Sequence, residues 1–80
     1  MLIPKRLKDT KWLAERLGLS VSTVERLRAQ ESPDIPKPIL IGAVIRYDAL
    51  FVEYFLLRRV DPTIPPFSVW ATANIDNFKF

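Results

Sequence analysis

Apolar positions recur at helical spacing twice within the first thirty residues. Trp12, Leu13 and Leu17 form the first set, with Ala14 between them; Leu13 and Leu17 share a face at i, i+4. Val21, Val24 and Leu27 form the second stripe. Asp9 or Thr10 is placed to cap the first helix, and Gly18 to end it in a left-handed turn without a Cβ penalty. Ser20 is the natural N-cap of the second helix, and Ser22-x-x-Glu25 offers an alternative capping box. Opposite the second stripe lie Ser22, Thr23, Glu25, Arg26 and Gln30, and Arg28 sits on the flank. Each position from Thr10 to Ala29 has a packing reason. Ala14 allows close helix approach, Gly18 makes the turn, and Val24 and Leu27 pack back on Leu13, Leu17 and Leu19. The pattern predicts a helix-turn-helix whose second helix, residues 21–30, has a polar outer face and fades near Glu31.

Residues 32–38 contain three prolines and predict an extended connector. Two β-branched runs follow, Ile39–Ile41 and Val44–Arg46, joined by Gly42-Ala43. Glycine first in a two-residue loop suits a type II′ hairpin. Asp48 is a good N-cap for a third helix from Ala49 to Arg59, with Leu50, Phe51, Tyr54, Phe55 and Leu57 as its apolar face. Arg58 and Arg59 suit its C-terminal dipole. Residues 60–66 then read as a stiff linker. Beyond it Phe67, Val69, Ala71, Ala73 and Ile75 alternate with polar or opposite-facing positions. That period of two predicts an extended strand in search of a partner. At the other end, residues 1–8 read as a short basic arm anchored by Leu7. The expected fold is mainly α with a small β-hairpin, a winged helix-turn-helix over residues 1–59. Residues 60–80 would add a Pro-rich linker and an extended tail, available for self-association or another partner.

Composition narrows the chemistry. Eighty residues make one domain. The chain has neither cysteine nor histidine. The usual zinc ligand sets and any histidine base are therefore missing, so the expectation is a non-enzyme without metal or cofactor. Net charge is +3 and the pI is near 9.6. Residues 1–59 hold eleven Lys/Arg against seven Asp/Glu, so the basic surface lies on the predicted helical domain. No apolar run is long enough for a membrane span, and the first residues lack a signal-peptide layout. The expectation is a cytoplasmic protein.

A polar helix face on a basic domain points to double-stranded DNA. A major groove admits one α-helix, whose N-terminal residues reach base edges. Here those are Ser22, Thr23 and Arg26: the arginine suits bidentate bonding to guanine, and the hydroxyls suit bases or phosphates. Glu25 is read as a helix cap working through Ser22. Lys11, Arg28, Lys37 and Arg46 are candidate phosphate contacts, and Ser20 offers a backbone N–H to a phosphate. Trp12 is read as core.

Residues 7–59 resemble the AlpA-like and excisionase-type DNA-binding proteins of phages and integrative elements, related in fold to MerR-type DNA-binding domains. The resemblance rests on Trp12-Leu13-Ala14-x-x-Leu17-Gly18-Leu19-Ser20-x-Ser22-Thr23-Val24. It continues through Ile35-Pro36-Lys37-Pro38-Ile39, Ile45-Arg46-Tyr47 and the helix from Asp48. It implies a bacterial, phage-borne or mobile-element protein that binds DNA beside a recombination site and helps an integrase excise the element. The alternative role in that family is transcriptional regulation of an integrase or phage gene. It also implies that Ser22, Thr23 and Arg26 read bases and that Arg46 is the wing cation, since the tip Gly42-Ala43 is uncharged. A second alternative, from the residues alone, is a protein-interaction module acting through the aromatic tail 67–80.

Overall fold

A computed structural model describes residues 5–78 and residue 80. About half the chain is helical. Helix α1 (Thr10–Leu17) opens at Asp9, whose carboxylate accepts from the Trp12 N–H at 2.8 Å. It closes at Gly18, with φ +71° and Leu19 N–H donating to Ala14 O at 2.9 Å. Helix α2 (Val21–Ala29) opens at Ser20, whose hydroxyl accepts from the Thr23 N–H at 3.2 Å. The capping box expected at Ser22 and Glu25 does not form: a helix begun at Ser20 already has Ser22 inside its first turn. The far end of α2 closes without glycine. Glu31 takes φ +51°, its N–H donates to Arg28 O, and the Ser32 N–H donates to Leu27 O. Both orphan carbonyls are satisfied as in a Schellman ending.

The hairpin lies where the β-branched runs placed it. Strands β2 (Ile39–Ile41) and β3 (Val44–Asp48) pair antiparallel, with Ile39 opposite Arg46 and Ile41 opposite Val44. Gly42 has φ +60° and Ala43 does not, as a type II′ turn requires. A short strand β1 (Leu7–Lys8) completes a sheet of order β1-β3-β2. The basic arm of the sequence reading is therefore partly sheet. Arg6 fastens it, donating twice to the Asp48 carboxylate at 2.6 and 2.7 Å while its carbonyl accepts from Ala49 N–H. Those side-chain hydrogen bonds hold the Arg6 guanidinium above its ordinary pKa, with partial burial opposing them. Residues 1–4 of the expected arm lie outside the described residues.

Helix α3 (Ala49–Val60) starts at Asp48 as anticipated, the carboxylate accepting from Leu50 N–H at 3.0 Å. The tail corrects the sequence reading. Residues expected to be an extended strand form helix α4 (Phe67–Asn74), followed by a 3-10 turn, Ile75–Asn77. The same residues carry a helical pattern, because Phe67, Trp70 and Ala71 stand at i, i+3 and i+4. That face finds a partner in α3, and tertiary packing decides between the two periods. Thr72 and Asn74 donate to carbonyls four residues back, Ser68 O and Trp70 O, so their polar groups are satisfied within the helix.

Two apolar clusters hold these elements. Leu13, Ala14, Val24, Ile35, Tyr47 and Val52 are buried together, with Trp12, Leu17, Leu27 and Leu56 against them. Ile35 and Pro36 of the connector are buried, so that segment is a wall of the core and not a bare link. The second cluster joins Leu50 and Tyr54 of α3 to Trp70, with Phe51, Phe67, Phe78 and Phe80 around them. Tyr54 donates its hydroxyl to Pro65 O at 3.0 Å and accepts from Arg58 at 2.8 Å. Leu19 and Val21, expected inside, remain 39% and 38% exposed. They lie at the turn between α1 and α2. Leu57 is 44% exposed, and Val52 takes the interior place on α3.

Candidate nucleic-acid interface

Val24 is fully buried at the centre of α2, so the opposite face of that helix is fixed outward. Ser22, Glu25 and Arg26 are exposed there and Thr23 is half-buried. Ser22 and Arg26 stand at i, i+4, and Thr23 and Arg26 at i, i+3, which aligns all three. At the N-terminal end the hydroxyls of Ser20, Ser22 and Thr23 cluster. Ser20 Oγ lies 3.2 Å from Ser22 Oγ and 2.8 Å from Thr23 Oγ1. The cluster sits at the positive end of the helix dipole, a place suited to an anion such as a phosphate oxygen. Glu25 accepts no side-chain hydrogen bond among the described residues, so its expected capping role is not taken up.

The cations differ in how far they are engaged within the fold. Arg6, Arg16 and Arg59 are engaged in ion pairs with Asp48, Glu53 and Asp34. Arg16 meets Glu53 through two bonds of 2.7 Å, tying α1 to α3, and those bonds raise its pKa. Arg59 also donates to Pro33 O and stacks 4.9 Å from the Phe55 ring centroid. Lys11, Arg26, Lys37 and Arg46 form no ion pair among the described residues. Lys11, Arg26 and Lys37 are exposed, and Arg46 is half-buried with Nη1 donating to Ile45 O at 2.8 Å. Arg28 turns inward instead, donating at 3.3 and 3.4 Å to Thr10 Oγ1 and Tyr47 OH. It works as a strut between α1, α2 and β3, and its reach to a phosphate is shortened.

One feature was not anticipated from the residues. A cleft of about 840 Å³ runs between the C-terminal end of α2, the proline connector, the hairpin and α3. Its apolar walls include Ile35, Pro36, Leu40, Ile45, Phe51 and Phe55, and Arg28, Glu31 and Lys37 stand at its borders. The residues that line it come from four separate segments, and no local pattern joins them. The exposed position of Leu40, a large aliphatic residue in a short β-run, was the one local signal.

No helix is long and apolar enough to cross a membrane among the described residues. Comparison with protein-family models, with curated proteins and with solved structures found no match.

Proposed function

We propose that the chain binds double-stranded DNA sequence-specifically as a winged helix-turn-helix protein, with α2 in the major groove and the β2–β3 hairpin as the wing. The observation that carries this reading is the outward face of α2. Buried Val24 fixes its direction, Ser22, Thr23 and Arg26 line it up, and among the described residues no carboxylate pairs Arg26. Arg26 reads a guanine edge bidentately, and Ser22 and Thr23 take an adjoining base or phosphate. Lys11, Lys37 and Arg46 contact phosphates, and the Ser20 end of α2 receives one. In biological role the chain is an excisionase of a phage or mobile element, a reading that rests on its resemblance to that family and implies an integrase as protein partner.

Selection of binding sites from random duplex DNA tests the reading directly. A consensus motif is expected. Arg26→Ala should weaken binding to that motif by about 1–3 kcal/mol and flatten preference at one position. Equal weakening on motif and random DNA would demote Arg26 to a phosphate contact. Failure to enrich any sequence would sink the proposal.

A further inference from the structure

The cleft beside the hairpin has a free hydrogen-bonding edge along one border. Strand β2 is the outer strand of the sheet. Ile41 and Val44 flank the two-residue loop and exchange hydrogen bonds, so the next pair, Leu40 and Ile45, is a non-bonded pair. The N–H and C=O of Leu40 therefore point away from β3, and they have no backbone partner elsewhere among the described residues. The Leu40 side chain is 70% exposed and borders the apolar wall formed by Ile35, Ile45, Phe51 and Phe55.

Charge indicates what would fill this space. Arg28 and Lys37 line the cleft, and Arg58 and Arg59 border the shallower recess that adjoins it across Phe51 and Phe55. Two carboxylates stand nearby. Glu31 lines the cleft, and Asp34 lies 3.5 Å from Arg59 and offsets it. The balance favours an occupant that brings negative charge. The apolar floor and unpaired edge favour one that also brings a backbone and a large apolar side chain. Phosphate groups alone would leave Leu40 and Phe55 uncovered. The chain's own aromatic segment is already placed, with Phe67, Phe78 and Phe80 against Trp70.

We propose that the β2 edge and the cleft dock an extended segment of a partner protein, carrying an aromatic or large aliphatic anchor flanked by Asp or Glu. The segment adds a strand to β2 at Leu40 and lowers its anchor onto Ile35, Ile45, Phe51 and Phe55. Its carboxylates meet Lys37 and the arginines. The site is distinct from the outer face of α2, although it shares Lys37 and the β2–β3 hairpin with the proposed DNA interface, and it stands whether or not α2 binds DNA.

The test is a random-peptide display library selected on the intact chain. Enriched peptides should combine an aromatic or large aliphatic residue with neighbouring Asp or Glu. Synthesised, the best of them should shift the amide resonances of Leu40, Ile45 and Phe55. Leu40→Asp should weaken its binding about tenfold or more, and Lys37→Glu should weaken it severalfold. Both side chains are exposed, and unchanged melting by circular dichroism would establish that the variants fold. No enrichment over the Leu40→Asp chain would overturn the proposal. So would selection of basic peptides, or resonance shifts confined to other faces.

Discussion

Glu31 holds a backbone conformation that glycine adopts more readily. Its φ of +51° closes α2, and it is the one non-glycine residue with positive φ among the described residues. An L-residue in the left-handed region costs about 1–2 kcal/mol, and glycine's greater freedom in the unfolded chain offsets about 0.5–1 kcal/mol of any gain. Glu31→Gly should therefore stabilise the protein by roughly 0.5–1 kcal/mol. For a domain of this size that is a rise of a few degrees in Tm, on the order of 4–8 °C per kcal/mol. A lower Tm would mean that the Glu31 side chain contributes more than its backbone costs. Gly18 supplies the opposite case. At φ +71° an added Cβ meets no atom within 4 Å, so only the backbone term acts. Gly18→Ala should cost roughly 0.5–1 kcal/mol in a urea titration, the left-handed penalty less the unfolded-chain entropy that alanine removes, with unchanged m.

Among the elements, α1, α2, the hairpin and α3 were legible because each has a local signal. Asp9, Ser20 and Asp48 cap, Gly18 and Gly42 turn, and the apolar spacing switches from helical to alternating at Ile39. Three features were not legible. Strand β1 is two residues long and depends on distant partners: it pairs with Tyr47 and Asp48, and Arg6 bonds Asp48 across a separation of 42 residues. The buried connector depends on Ile35 joining the cluster of Val24 and Val52, which no window of sequence shows. Helix α4 carries two periodicities at once, and its partner α3 chooses one. Phe67 packs edge-on against Phe51 and Tyr54, with ring centroids 5.1 and 5.4 Å away. Trp70 is 7% exposed and lies 5.4 Å from Tyr54. The tail is thus built into the fold through its aromatic face, which corrects its reading as an open interaction strand. Trp70→Ala should cost about 3–5 kcal/mol, a large part of the ~4–12 kcal/mol expected for a chain of this length. Thermal melting followed by far-ultraviolet circular dichroism would measure it. An unchanged Tm would show that α4 is an appendage.

Over the whole molecule, some cations are paired within the fold and others are not. The carboxylates of Asp48 and Glu53, both of them partly buried, hold Arg6 and Arg16 against the body of the fold. Raised arginine pKa values keep the cationic half of each pair charged. Deprotonation of these arginines lies at strongly alkaline pH, where their contribution would fade, so they bring no switch near neutrality. Lys11, Arg26, Lys37 and Arg46, the cations placed against DNA, stay outside such pairs among the described residues. Each phosphate neutralised releases counterion, with a slope of about −0.9 in log K against log salt. Four such cations predict a slope of roughly −3 to −4 on the selected duplex. Lys11→Ala or Arg46→Ala should reduce its magnitude by about one while leaving the preferred sequence intact. Arg16→Ala should leave the slope unchanged and lower the melting temperature instead, because its charge is spent on Glu53. A slope that responds to Arg16 as strongly as to Lys11 would place the polyanion on the α3 side of the fold, and α2 would lose its role as the reading helix.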